Sequence, residues 1–146
     1  MIKYLWWCVM KVLTLKQPWA TLVAEGIKKY EFRSWKTKYR GKLLIHAGSG
    51  IDKKELDKYK NLGYEFPKSK IIACVDLVDC LELDENLNKQ IIAEDNIAHG
   101  SKIRTGYAWK LENVKKIDTI CDVKGQLGLW NMDISEIKWW RLYEKI

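Results

Sequence analysis

The chain has 146 residues, of which 26 are lysine or arginine and 19 are aspartate or glutamate, so its formal net charge is +7. Apolar residues make up 47% of the chain and aromatic residues 12%, which suffices for one domain core and excludes long-range disorder. No apolar run reaches the roughly 18 residues of a membrane span, and the stretch Leu5–Met10 lacks the cleavage site of a secretory signal. We therefore expect a single soluble, cytoplasmic domain.

Alternating apolar and polar residues predict strands, and capping residues mark the helices. The expected strands are Lys11–Lys16, Lys29–Lys36, Gly41–Ala47, Lys70–Leu83, Tyr107–Leu111 and Leu127–Met132. The expected helices are one opened by Pro18 and closed by Gly26, one over Lys53–Leu62 capped by Asp52, and one over Glu85–Asp95 capped by Asp84. About six strands and three short helices, with no linker between them, indicate an α+β domain built as a small closed or half-closed β-barrel.

The cysteines and histidines carry no metal-binding pattern. The four cysteines are widely spaced: Cys8, Cys74, Cys80 and Cys121. Alternation places Cys74 and Cys80 on one face of a strand, where we expect buried, reduced thiols. His46 ends a buried strand and is expected to be a hydrogen-bonded core residue, and two histidines are too few for a zinc site. We predict no metal and no cofactor, because the chain has neither a P-loop nor a G-x-G-x-x-G motif.

Basic residues concentrate in the first half of the chain. Residues 1–70 hold 16 basic and 6 acidic side chains, whereas residues 71–146 hold 10 and 13. The segment Lys28–Lys42 carries seven basic residues and one acid, with aromatic residues between them. Since cations and exposed rings bind phosphates and unstacked bases, we interpret this segment as a basic hairpin that binds nucleic acid. The alternative is a surface hairpin whose rings pack inward and whose lysines confer solubility. Asp76–Glu85, with five acids and no base, should repel nucleic acid.

Several motifs resemble those of one known family. The segment LKQPWA at Leu15–Ala20 precedes G-x-K-x-x-E-x-R at Gly26–Arg33. Three further matches are YRGKLLIHA at Tyr39–Ala47, YAW at Tyr107–Trp109 and KGQLGLW at Lys124–Trp130. From about Val12 to Asn131 the chain thus resembles the ASCH (activating-signal-cointegrator homology) domain, which is similar in fold to PUA domains. The resemblance implies a PUA-like barrel of five to six mostly antiparallel strands, a cleft lined by the motif, and an association with RNA metabolism.

The same resemblance divides the chain into three parts. Residues 10–132 form the ASCH domain, residues 1–9 are an N-terminal extension, and residues 133–146 are a C-terminal tail that we expect to pack on the domain. Met10 is an alternative natural start to Met1. The oligomeric state does not follow from these patterns.

Lys28, Glu31 and Arg33 are the predicted ligand contacts of the motif. Arg33 can hold a phosphate bidentately and Lys28 can add a point charge, while Glu31 can accept from a base amino group or position Arg33. The alternative is a Glu31–Arg33 salt bridge that closes the barrel, with Lys28 solvated. The predicted nucleic-acid-binding residues are Lys16, Gln17, Trp19, Lys28, Glu31, Arg33, Trp35, Lys36, Lys38, Tyr39 and Arg40. Of Trp19, Trp35, Trp109 and Trp130, at least half are expected in the core.

An enzymatic alternative also follows from the resemblance. One small bacterial group in the superfamily deacetylates N4-acetylcytidine with a Lys and a Thr of this motif and a later acid. Lys28 matches that Lys, but Glu31 stands where the group has Thr, and the later acid has counterparts only in Glu94 or Asp95. A second activity in the superfamily is cleavage of RNA. A hydrolase of either kind here would use Lys28 and Glu31 as its proton-transfer pair.

We therefore favour a module that binds RNA or a nucleotide without chemistry. The second hypothesis is the small hydrolase acting on a modified nucleoside or on RNA. The third is a protein-interaction module, suggested by the tryptophan pairs near the termini: Trp6, Trp7, Trp139 and Trp140.

Overall fold

A computed structural model describes residues 9–94, 96–118 and 122–134. Within these residues the strands are β1 (Val9–Gln17), β2 (Tyr30–Arg33), β3 (Gly41–Ile51), β4 (Lys70–Glu82), β5 (Tyr107–Lys116) and β6 (Leu129–Asp133). The helices are α1 (Trp19–Ala24), α2 (Lys53–Asp57), α3 (Glu85–Glu94) and α4 (Asn96–His99), with a 3-10 turn over Lys60–Leu62. The predicted α+β class is confirmed, as is the order of strands along the chain. No helix in these ranges is long and apolar enough to cross a membrane.

The strands form one mixed sheet in the order β2-β5-β4-β3-β1-β6. The pair β1–β3 is parallel, and the other four of the five pairs are antiparallel, which confirms the mostly antiparallel prediction. The predicted barrel is not confirmed, because the edge strands β2 and β6 form no ladder with each other in the described residues.

Strands β2 and β3 are not neighbours in the sheet. Strand β2 pairs with β5, with Glu31 opposite Trp109, whereas β3 lies between β1 and β4. The interpretation of residues 28–42 as a hairpin is therefore wrong. Alternation identifies a strand and its buried face, but it does not identify the strand's partner.

Apolar side chains cover both faces of the central strands. Leu13 of β1 and Leu43 of β3 pack in one cluster, which also contains residues of helix α1. Their chain neighbours Val12 and Leu44 belong to a second cluster that contains Trp130. Successive side chains of a strand point to opposite faces, so the two clusters lie on opposite sides of the sheet.

Cys74 and Cys80 are buried free thiols, as predicted, but they do not share a face. Cys74 packs in the cluster of Val12 and Leu44, and Cys80 packs in the cluster of Leu13. The register of β4 against β5 shifts between Leu77 and Asp79, where β4 contains one extra residue. A bulge of this kind reverses the alternation beyond it, which explains why the single-face prediction is wrong.

Two predicted caps are confirmed. The Asp52 carboxylate accepts from the backbone N–H of Glu55 at 3.1 Å, and Asp84 accepts from that of Leu87 at 2.7 Å. The helix expected over Lys53–Leu62 is divided into α2 and the 3-10 turn, which Gly63 closes with φ +77°.

Several predictions concern positions outside the described residues. These positions are Trp6, Trp7, Cys8, Asp95, Cys121, Trp139 and Trp140. The N-terminal extension and the C-terminal tail fall mostly there as well, so the packing of the tail and a role of the tryptophan pairs stay predictions.

Candidate functional site

A cleft of about 800 Å³ lies beside edge strand β2. It is lined by Lys16 at the end of β1, Trp19 of α1, Glu31 and Arg33 of β2, and Trp35 just after β2. We call it the main cleft. The loop before β6 also lines it, with residues from Lys124 to Gly128. The motif residues Glu31 and Arg33 therefore line one cleft, as their spacing of two along a strand predicts.

A second pocket of about 670 Å³, here called the side pocket, shares Trp19, Glu31 and Phe32 with the main cleft. Its other lining residues include Lys28 and Arg104. The two pockets thus meet at the side chains of strand β2.

Lys28 is 4% exposed and lies within the side pocket lining. Its Nζ donates to the backbone carbonyl of Tyr30 and lies 4.7 Å from the centroid of the Phe32 ring. Burial lowers the pKa of Lys28 to about 8; Glu31 opposes this shift, and Arg104 and Arg33 add to it. The ammonium is therefore partly deprotonated in mildly alkaline solution.

Glu31 and Arg33 each keep one buried polar atom without a partner. Glu31 is 9% exposed; its Oε1 accepts from the N–H of Phe32 at 3.0 Å, and its Oε2 has no partner. Arg33 donates from Nη2 to the Thr14 carbonyl at 3.0 Å, and its Nε has no partner. No ion pair joins Glu31 to Arg33 in the described part of the chain. The salt-bridge alternative is therefore wrong, and the pair offers one acceptor and one donor.

The tryptophans divide evenly between core and cleft. Trp109 is fully buried and Trp130 is 6% exposed, which confirms that at least half belong to the core. Trp35 is 36% exposed, and its ring lies 4.7 Å from that of Trp109 at an interplanar angle of 87°. Trp35 is thus held by the core while part of it stays accessible in the main cleft, where Trp19 also lies.

Gln17 lies in the interior rather than at a pocket. Its Nε2 donates to the Thr21 hydroxyl at 2.8 Å and to the Pro67 carbonyl at 2.9 Å. Its Oε1 accepts from the backbone N–H of Thr21 at 3.0 Å. These bonds join β1, helix α1 and the segment before β4, and they occupy the polar atoms of the Gln17 side chain.

The last part of the basic segment lines neither pocket. Lys36, Lys38, Tyr39 and Arg40 are absent from both linings. Arg40 instead lies 3.5 Å from the Asp79 carboxylate. The Tyr39 hydroxyl donates to the backbone carbonyl of Lys42. Lys36, Lys38 and Tyr39 stay predictions as nucleic-acid contacts, whereas we expect little contribution from Arg40, because the Asp79 carboxylate offsets its charge.

His46 is a core residue, as predicted. It is 1% exposed, with Nδ1 3.1 Å from the Thr14 hydroxyl and Nε2 2.6 Å from the Val123 carbonyl. Burial lowers the pKa of His46, and its bond to Val123 opposes that shift. Both ring nitrogens of His46 thus have partners within the fold, which is typical of a structural role.

Glu94 lines neither pocket, and its Oε2 accepts from the Tyr30 hydroxyl at 3.4 Å. The predicted contacts do not include Arg104 or Lys124, and Phe32 belongs to the predictions only as one of the aromatic residues within the basic segment. Lys124 lies in a segment that matches the family pattern, whereas a single arginine in a loop, such as Arg104, gives no signal in one sequence.

Comparisons with known proteins place the chain in a family. The family model described as "ASCH domain" matches residues 13–121. The chain is 30% identical to human (Homo sapiens) and 29% identical to mouse (Mus musculus) Activating signal cointegrator 1, each over 139 residues. Each match covers 87% of this chain but 22% of the relative.

Solved structures support the same fold. A crystal structure of the ASCH protein from Zymomonas mobilis matches with a TM-score of 0.50 at 14% identity, covering 79% of this chain and 73% of that one. A point variant of that protein matches with a TM-score of 0.51 at 16% identity, covering 75% and 73%. These identities speak for the fold alone. Because the family model matches well over half of its residues, the chain belongs to the ASCH domain family.

Proposed function

We propose that this ASCH domain binds RNA, with an unpaired base in the main cleft, and performs no chemistry on it. The observation that carries the proposal is the pair of unpartnered buried atoms, Glu31 Oε2 and Arg33 Nε, in the lining of that cleft. A buried polar group without a partner costs roughly 1–3 kcal/mol. A ligand with one donor and one acceptor removes both costs.

A nucleobase has the required chemistry. An exocyclic amino group can donate to Glu31, and a ring nitrogen or carbonyl can accept from Arg33. The base faces can stack on Trp35, and such stacking contributes roughly 1–3 kcal/mol per base. A cleft of about 800 Å³ has room for a nucleotide.

Lysines at the rim of the main cleft can bind the RNA backbone. Lys16 and Lys124 are exposed and line the cleft, and neither is in an ion pair within the described residues. Contacts from lysine to phosphate release counterions, so we expect the affinity to fall as the salt concentration rises. The PUA-like fold of the family and its association with RNA metabolism agree with this proposal.

Fluorescence anisotropy tests the proposal. Labelled single-stranded RNA, duplex RNA and single-stranded DNA are titrated with the protein at two salt concentrations, and the RNA is analysed by HPLC afterwards. We expect salt-dependent binding of single-stranded RNA, loss of binding in Lys28→Ala/Arg33→Ala, near-normal binding in Arg40→Ala, and intact RNA. Failure of the wild-type protein to bind any of the three polymers would contradict the proposal.

One observation favours hydrolysis as a second candidate. Lys28 has a pKa of about 8 and lies near Glu31, so its neutral amine could take the proton of an attacking water. N4-acetylcytidine and single-stranded RNA are the substrates to test. Release of acetate or shortening of the RNA by the wild type, abolished in Lys28→Met while RNA binding remains, would establish the hydrolase. Unchanged substrates would exclude it.

A further inference from the structure

Arg104 is fixed in place by a buried side chain from another element. Its backbone N–H donates to Oδ1 of Asn88 at 2.8 Å, and its carbonyl accepts from Nδ2 of the same residue at 2.9 Å. Asn88 is 4% exposed, and its Nδ2 also donates to the Asp84 carbonyl at 2.8 Å. Helix α3 therefore holds both polar groups of the Arg104 backbone, so the loop before β5 has one defined position there.

The Arg104 guanidinium is oriented but has few partners. Its Cζ lies 4.3 Å from the centroid of the Phe32 ring, within the distance of a cation–π contact, so the ring helps to position the guanidinium beside the pocket. Its one hydrogen bond among the described residues runs from Nη1 to the Lys102 carbonyl at 3.4 Å. No carboxylate of the described residues lies within ion-pair distance of it. Since a guanidinium has five N–H donors, most remain free for a ligand in the side pocket.

The side pocket is lined by three acids: Asp52 and Glu55 have partners of their own, and Glu31, which it shares with the main cleft, keeps an unpartnered Oε2. Glu55 pairs with Lys58 at 2.9 Å, and Asp52 accepts from the N–H of Glu55 as the cap of α2. Arg104 shares the pocket with three further cations, Lys28, Lys58 and Lys102. This combination of cations and a guanidinium in contact with the Phe32 ring suits an anion with several acceptor oxygens.

We propose that the side pocket binds a phosphate group of the same RNA whose base occupies the main cleft, with Arg104 as the principal contact and Asn88 as its positioning residue. The inference rests on the proposed function, because Trp19, Glu31 and Phe32 form a wall common to both pockets. A nucleotide joins a base to a phosphate through one sugar, so one ligand can reach both sides of that wall. Planar recognition of phosphate favours arginine over lysine at such a position.

The experiment measures the Kd of single-stranded RNA by anisotropy over a salt series for the wild type, Arg104→Gln, Arg104→Lys, Asn88→Ala and the control Arg40→Gln. We expect Arg104→Gln to raise Kd about tenfold, the effect of losing a charged hydrogen bond. The slope of log K against log salt should fall by about 0.7, the value for one phosphate contact on a single strand. Arg104→Lys should keep that slope but regain only part of the affinity, and Arg40→Gln should match the wild type.

Asn88→Ala tests the positioning role. It should raise Kd in the wild-type background and have no further effect in Arg104→Gln, because both changes remove the same contact. If thermal unfolding shows that Asn88→Ala does not fold, the phosphate contact of Arg104 is tested by comparing Arg104→Gln with Arg104→Lys. Additive effects of the two substitutions would contradict the positioning role.

A second measurement separates this inference from the proposed function. Inorganic phosphate is titrated into ¹⁵N-labelled protein, and the Nε–H resonances of Arg104 and Arg40 are followed. We expect the Arg104 resonance to shift and the Arg40 resonance to stay unchanged.

The possible outcomes distinguish the two proposals. If Arg104→Gln binds RNA with the same affinity and the same salt slope as the wild type, the phosphate site is overturned while RNA binding stands. If the wild type binds no RNA, the proposed function fails, and an unshifted Arg104 in phosphate would overturn the anion site too. Displacement of bound RNA by an acidic peptide more readily than by an unlabelled oligonucleotide would overturn the assignment to RNA.

Discussion

The two ends of the basic segment Lys28–Lys42 have opposite environments. At the first end, Lys28 is buried and Arg33 keeps an unpartnered Nε in the lining of the main cleft. At the other end, Lys42 lies opposite Asp76 in the ladder between β3 and β4, with its Nζ 3.9 Å from that carboxylate. Arg40 similarly lies 3.5 Å from Asp79. The first end lines pockets that a ligand can enter, whereas the two cations of the second end each lie beside a carboxylate of strand β4.

The difference shows that a high density of cations along the sequence does not by itself produce a positively charged surface. Strand β2 lies at an edge of the sheet, and its side chains border a cleft. Strand β3 lies beside β4, which begins the acidic run Asp76–Glu85. Partner strands thus decide which cations of one basic segment can bind an anion.

The largest expected effect concerns Lys28 and pH. Its pKa is lowered from 10.5 to about 8 by burial, opposed by Glu31 and strengthened by Arg104 and Arg33. Between these pH values the unfolded chain binds a proton that the folded chain does not, so the wild type gains stability as pH rises. Relative to Lys28→Met, its free energy of unfolding should rise by a few kcal/mol, because one pKa unit corresponds to about 1.4 kcal/mol.

Urea unfolding followed by tryptophan fluorescence at pH 7 and pH 10 measures this difference. Lys42→Met, at the half-exposed and paired end, is the matched control and should follow the wild type at both pH values. A constant difference between the wild type and Lys28→Met across this range would mean that Lys28 is not buried as described.

Arg33→Gln should have the next largest effect. It removes the charged donor of the cleft while Arg40→Gln removes a cation paired to Asp79. We expect Arg33→Gln to raise the Kd for single-stranded RNA about tenfold or more, from a charged hydrogen bond contribution of roughly 1.5–3 kcal/mol. Arg40→Gln should change Kd less than about twofold. Equal effects of the two variants in anisotropy would eliminate the distinction between the two ends.

Trp35 offers a smaller, graded test. Loss of base stacking in Trp35→Ala should raise Kd about fivefold to tenfold, within the roughly 1–3 kcal/mol of a stacked base. Trp35→Phe keeps an aromatic face and should retain most of the affinity. Thermal unfolding controls for the lost contact with Trp109. An affinity that is the same in all three proteins would show that Trp35 is not a stacking surface.

The smallest effect is expected at the paired end itself. Lys42 and Asp76 are both partly exposed, and surface ion pairs contribute about 0–1 kcal/mol. Lys42→Ala and Asp76→Ala should therefore each change the free energy of unfolding by less than about 1 kcal/mol, measured in urea. Asp76→Ala should also strengthen RNA binding slightly, since it frees a cation. A large loss of stability in either variant would contradict a surface role for the pair.

Much of the fold follows from local patterns. Alternation identified β1 to β6, and Asp52 and Asp84 marked the starts of α2 and α3, because these signals arise from neighbouring residues alone. Strand partners, the bulge that separates Cys74 from Cys80 and the open sheet depend on contacts between distant segments. Periodicity carries no information about those contacts.

For the site, too, residues within a local motif can be predicted from the sequence, whereas residues placed by distant contacts cannot. The G-x-K-x-x-E-x-R motif identified Lys28, Glu31 and Arg33, all of which line a pocket. Arg104 could not be found, because its position depends on a hydrogen-bonded contact with Asn88, 16 residues earlier on another element. Gln17 was predicted as a contact from its place in a motif, but its amide has a role within the fold that only packing reveals.

The most direct test of base binding in the main cleft follows the tryptophan indole N–H resonances of ¹⁵N-labelled protein during titration with single-stranded RNA. Trp19 and Trp35 line the cleft, whereas Trp130 donates its indole N–H to the Thr14 hydroxyl at 3.1 Å and is 6% exposed. We predict large, saturable shifts for Trp19 and Trp35, a small shift for Trp130, and much smaller shifts of Trp19 and Trp35 in Arg33→Gln at an RNA concentration near the wild-type Kd. RNA binding that leaves Trp19 and Trp35 unmoved would contradict binding in this cleft.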